Sequence, residues 1–158
     1  MYWGKDHLKK MWKQVDLEGV RYGFVKNKTN GFIFAVVDSV LDFDIEEIEI
    51  PGVVNDCPVM EIGKFSFSSC HELKKVEFPQ CIMVIGTYAF SSCENLSEIN
   101  VPSMLEKIHY GAFKECRSLN KIDIGPNVKV EEGTFIDCPL DKKYQFQCKY
   151  TSSRDMYK

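Results

Sequence analysis

The chain has 158 residues, 44% of them apolar and 27% charged, a composition that fits one folded domain and excludes a disordered or fibrous chain. Its 20 basic and 23 acidic residues leave a net charge of −3, which argues against bulk attraction to nucleic acid. Seven cysteines are too few for a dense disulfide scaffold, and no run of about 18 uncharged apolar residues marks a membrane-spanning helix.

At the start of the chain, Leu8, Met11, Trp12 and Val15 fall at i, i+3, i+4 and i+7, which predicts an amphipathic leader helix over residues 1–18. Four lysines against one Asp give residues 1–15 a charge of +3, leaving −6 for the remainder. Lys5, Asp6, His7, Lys9, Lys10 and Lys13 also interrupt any signal-peptide core. The helix is expected to dock on the rest of the chain. Weak contact with a membrane surface, or with a partner groove, through residues 1–15 is the alternative. Residues 19–47 read as a cap, because residues 21–26 and 31–37 flank a Lys28-Thr29-Asn30-Gly31 turn and so predict a β-hairpin.

Residues 48–150 are organised by a repeat. Ile62-Gly63, Phe67, Cys70, Leu73, Val76, Phe78 and Pro79 return 23 positions later as Ile85-Gly86, Phe90, Cys93, Leu96, Ile99, Val101 and Pro102. A second step of 23 gives Ile108, Phe113, Cys116, Leu119, Ile122 and Ile124, and a step of 22 gives Val130, Phe135 and Cys138. Upstream, Ile48, Ile50 and Pro51 match at an offset of 28, so about five extra residues lie between the first two units. A Leu-x-x-Ile-x-apolar-Pro segment alternates as a short strand and ends at a residue without a donor. Five stacked parallel strands are predicted, at residues 48–50, 76–78, 99–101, 122–124 and 144–146. No single unit buries its apolar face alone, so neighbouring coils share one core, with Phe67, Phe90, Phe113 and Phe135 as a structural column. Residues 151–158 are polar and read as a disordered tail.

The segment from Ile85 to Pro102, read as Ile-Gly-x-x-Ala-Phe-x-x-Cys-x-x-Leu-x-x-Ile-x-Val-Pro, resembles the BspA-type leucine-rich repeat. The resemblance covers roughly residues 19–146, with departures at His109, Glu131 and Gly125 that suggest local loop changes. It implies an α/β-type repeat solenoid, right-handed and of about five coils, used for binding, often on surfaces of bacteria and protists. It brings no shared catalytic residues. Cell-surface placement is what the resemblance suggests, whereas the sequence without a leader signal reads as cytoplasmic.

Candidate chemistry is sparse. Cys70, Cys93, Cys116 and Cys138 share one repeat position and read as a ladder of small buried side chains with thiols turned to turn carbonyls. Cys57 and Cys81 lie off that register and are placed to approach one another on adjacent coils, while Cys148 is expected on the last strand with the most reactive thiol. No Cys-x-x-Cys pair occurs, and His7, His71 and His109 have no metal-ligand spacing; His109 reads as a surface histidine. No phosphate loop, nucleophile elbow or dinucleotide fingerprint is present, so no cofactor and no enzymatic activity are expected.

The solvent face of the predicted sheet is more informative. Between the buried strand positions lie Glu49, Glu77, Asn100, Asp123 and Gln145, and beside them run Glu47, Lys75, Glu98, Lys121 and Lys143. Glu49, Glu77, Asn100, Asp123, Gln145, Lys75, Glu98 and Lys121 are the candidate partner-binding residues. The first reading is therefore a non-enzymatic protein-binding module, with surface adhesion as one use. An intracellular scaffold is the second reading, and a thiol or metal protein built on the cysteine column is a distant third.

Overall fold

The computed structural model describes residues 14–144. Strand β1 (Val15–Leu17) turns at Glu18-Gly19 into β2 (Val20–Lys26), and Leu17 lies opposite Val20. Both turn residues have positive φ, 49° and 79°, as a type I′ hairpin requires. The expected leader helix is thus corrected where it meets the described residues. Val15, the last helix-spaced residue, alternates with Leu17 in a strand, and a left-handed turn follows at once. Residues 1–13, and the membrane-contact alternative with them, lie outside the described residues.

From β2 the chain turns into β3 (Ile33–Val40), which pairs with it antiparallel. Asn27 organises that turn: its side-chain Oδ1 accepts from the Thr29 amide at 2.8 Å, and its carbonyl accepts from the Gly31 amide at 2.9 Å. Tyr22, Ala35 and Val37 of the hairpin are buried and close the first end of the core.

Two parallel sheets then run along the array. The smaller joins β4 (Glu47–Glu49), β7 (Lys75–Glu77) and β9 (Glu98–Ile99). The larger continues from β3 through β6 (Cys57–Ile62), β8 (Val84–Ile85), β10 (Lys107–Ile108) and β11 (Lys129–Val130). Its short strands end at the Ile-Gly positions, which sequence alternation reads only as a return turn. Strand β5 (Val53–Val54) folds back on β6 through Asn55-Asp56, both at positive φ. That small hairpin accommodates the longer offset between the first two units.

The third side of each coil is built from tight turns. Two left-handed residues four apart occur in every coil: Phe65 and Ser69, Tyr88 and Ser92, Gly111 and Glu115, Gly133 and Asp137. Backbone bonds tie these turns to the next coil, as from the Phe67 amide to the Ala89 carbonyl and from the Phe90 amide to the Ala112 carbonyl, both 2.8 Å. Inside, Phe67, Phe90, Phe113 and Phe135 stack nearly parallel, with centroids 5.0, 5.5 and 5.7 Å apart along the series. Ser66, Ala89, Ala112 and Thr134 beside them are buried, their small size leaving room for the rings.

The array is therefore a β-solenoid of about four coils, not an α/β array of five. The one helix among the described residues is α1 (Asp141–Tyr144), with Asp141 in its first turn and Lys142 and Lys143 in its last, as the helix dipole favours. The fifth strand predicted at residues 144–146 is overturned at Tyr144, which closes this helix. Residues 122–124 are not a strand either: the smaller sheet stops at β9. The chain instead leaves through the loop Gly125-Pro126-Asn127, where the Val128 amide bonds the Gly125 carbonyl at 3.3 Å.

Candidate functional site

The smaller sheet presents its outer side as an open depression of about 650 Å³ spanning three coils. Its register follows from the repeat: Glu47, Lys75 and Glu98 are opposite one another, as are Ile48, Val76 and Ile99, and Glu49 lies opposite Glu77. Lys75, Glu77, Glu98, Asn100, Lys121 and Asp123 all line the depression, together with Ile99, Val101 and Ile122. Of the remaining candidates, Glu49 is exposed on the adjoining strand and Gln145 lies outside the described residues.

Charges on this face fall into unlike columns. At its border Lys74 donates to Glu46 at 2.8 Å, and this hydrogen bond holds the Glu46 carboxyl below its ordinary range. The lining charges are different: among the described residues, Glu77, Glu98 and Asp123 enter no ion pair. Asn100 is half-buried and turned onto its neighbour, where its Oδ1 accepts from the Phe78 amide at 2.7 Å and its Nδ2 donates to the Phe78 carbonyl at 2.9 Å. It thus continues the β7–β9 ladder with a side chain just past the end of β9.

Below the face, the cysteine column is fully internal. Cys93 donates to the Phe67 carbonyl and Cys116 to the Phe90 carbonyl, both at 3.1 Å, and Cys138 reaches the Leu119 carbonyl at 3.4 Å. Burial pushes the Cys93 thiol up to about 12 and the Cys70 and Cys138 thiols up to about 11. Cys57 and Cys81 are both free thiols, and Cys81 donates to the Val59 carbonyl at 3.2 Å. Cys148 lies outside the described residues. No group of three His, Cys, Asp or Glu side chains among the described residues converges to hold a metal ion.

A second cluster escaped the sequence reading. His109 and Glu131 occupy the position that is Gly63 and Gly86 in earlier coils, and their amides keep the same bond to the preceding coil. His109 Nδ1 lies 3.1 Å from Glu131 Oε1, Lys107 Nζ lies 3.0 Å from the same oxygen, and Glu131 Oε2 accepts from the Tyr110 amide at 2.7 Å. Burial opposes ionisation of Glu131, but Lys107, the Tyr110 amide and His109 together hold its carboxyl below the ordinary range. The substitution of both glycines was the available signal: side chains one coil apart at the same position must meet.

A profile of BspA type leucine rich repeat regions matches residues 42–155 in six copies. The chain belongs to the BspA-type leucine-rich repeat family. Solved structures agree on the fold of this BspA-type array. It superposes on a leucine-rich repeat protein from Bacteroides capillosus with a TM-score of 0.67 at 25% identity, covering 79% of this chain and 91% of that one. A leucine rich cell surface protein from Faecalibacterium prausnitzii gives 0.64 at 24% identity, covering 78% of this chain and 35% of that one. The leucine-rich repeat protein of Treponema pallidum gives 0.62 at 24%, covering 76% and 55%. The BspA-type array thus spans about half of the treponemal chain and about a third of the F. prausnitzii one. No curated protein matches it by sequence. No helix among its described residues is long and apolar enough to cross a membrane.

Proposed function

We propose that the array is a non-enzymatic protein-recognition module whose contact surface is the outer face of the smaller sheet. The observation that carries this reading is the gathering of six candidate residues, drawn from three coils, around one open depression. An extended, mixed-charge face on a rigid stack suits a macromolecular partner, since it offers area and register but no enclosed pocket. Site-specific photo-crosslinking tests it. A crosslinking amino acid at Ser97, on the face, should capture partner proteins from source cells that one at Lys28, on the hairpin turn, does not. Identical capture patterns from the two positions would remove the face from consideration.

Adhesion at the cell surface is the more specific use, and its support is the F. prausnitzii neighbour described as a cell surface protein. Biotinylation of intact source cells decides it against an intracellular scaffold. Surface use requires labelling before lysis, and labelling only after lysis favours the scaffold.

A further inference from the structure

Resting on that recognition face, we infer that the depression seats an arginine side chain from an extended segment of the partner. Its floor is apolar in a way the preceding coil is not. Val76 and Phe78 of the second coil are 1% and 3% exposed, whereas their third-coil equivalents Ile99 and Val101 are only half-buried and line the depression. Ile99 and Val101 also pack against the core, and because the smaller sheet ends at β9 their remaining exposed part has no fourth strand beside it. A flexible aliphatic stem laid over them gains contact while its head group remains at the wet rim.

The rim selects the charge of that head. Glu98 lies opposite Lys75, and Lys121 follows in the same column, so that side of the face balances itself. Glu77 instead lies opposite Glu49, and the next residue in its column, Asn100, has committed both ends of its amide to Phe78. Asp123 follows, exposed. The Glu77 to Asp123 side therefore carries a surplus of negative charge with no cation in its own column. Glu77 and Asp123 line the depression on either side of Asn100, so their side chains can converge on one planar, multi-donor group. A guanidinium presents donors in two directions and sheds water more readily than an ammonium, which favours arginine over lysine.

Four acetylated, amidated dodecapeptides test the assignment on the full chain: serine alternating with arginine, lysine, citrulline or glutamate. Affinity is read by fluorescence anisotropy and location by amide chemical shifts. The arginine peptide should perturb amides of residues 97–101 and 121–123 and bind about tenfold more tightly than the lysine peptide. Citrulline, which keeps the shape and loses the charge, should not bind detectably. Glu77→Gln and Asp123→Asn should each weaken the arginine peptide about tenfold with unchanged thermal midpoints, while Glu106→Gln, off the face, leaves affinity intact. Equal binding of the arginine and citrulline peptides, or shifts confined to other residues, would overturn the assignment. If the citrulline or glutamate peptide shifts the same amides instead, the face remains a binding surface and only the arginine preference is lost. Failure of crosslinking at position 97, by contrast, removes the face itself.

Discussion

Cys93 is completely buried, and its thiol donates to the Phe67 carbonyl in the coil before it. A thiolate there would sit among stacked rings without water, and this desolvation raises the thiol from its ordinary 9.0 to about 12, with Cys70 and Cys138 raised to about 11. Unfolded thiols lose their protons near pH 9, whereas the folded ones keep theirs. The unfolded state therefore binds fewer protons above that point, and stability falls as pH rises. The contribution is intact below about pH 8.5 and is lost between about pH 9 and 12, at up to about 1.4 kcal/mol per pH unit for each thiol. Urea midpoints measured from pH 7 to 11 should be level at first and then decline. Cys93→Ala should make the decline shallower. A midpoint independent of pH up to 10.5 would contradict the burial argument.

At the level of strands and turns, Asn100 stands in for a missing rung. Phe78 is buried, and both its amide and its carbonyl are satisfied by this one side chain. Asn100→Ala leaves both backbone groups unpaired and should cost about 1–3 kcal/mol. Asn100→Asp restores an acceptor for the amide but sets a carboxylate against the carbonyl, so it should recover only part of the loss. Denaturant unfolding gives the energies, and exchange of the Phe78 amide should accelerate in the alanine variant more than in the aspartate one. An alanine variant within about 0.5 kcal/mol of the parent, the range of ordinary surface changes, would show the bonds to be incidental.

The same residue shows where sequence reading stops. Phe67, Phe90, Cys93 and Leu96 were legible because identical packing in every coil imposes identical spacing on the chain. Alternation also assigned the outer face well enough that six of its candidates line one depression. Asn100 follows that alternation and so reads as solvent-facing; nothing in one sequence reveals that its amide bonds a neighbouring backbone. Strands β8, β10 and β11 are two residues long, too short for any period to register. At the start of the chain two periods compete for Val15. The spacing from Leu8 is helical, whereas Val15, Leu17 and Gly19 carry the strand and turn that the chain adopts.

For the whole molecule, one strand path runs from β1 to β11 and one ring column runs through the core, so each coil is held by its neighbours. The hold slackens toward the last coil. Ring spacing widens from 5.0 to 5.7 Å along the series, and the smaller sheet does not reach residues 122–124. Phe90 stacks on Phe67 and Phe113 and meets the edge of Phe78, so removing it cuts the column in its middle. Phe90→Ala should cost about 3–5 kcal/mol. It should also raise amide exchange on both sides, at Phe67 and at Phe113. Phe135 is the last ring of the column among the described residues, and Phe135→Ala should likewise cost about 3–5 kcal/mol. Its effect should concentrate at the Phe113 and Glu115 amides, which bond Thr134 and Ile136, while the Phe67 amide stays protected. Uniform acceleration across all coils in both variants would mean that the array opens only as a unit. The local outcome has a functional corollary. Lys121 and Asp123 belong to the end of the face beyond β9, so Phe135→Ala should loosen the far wall of the depression without replacing any residue that lines it.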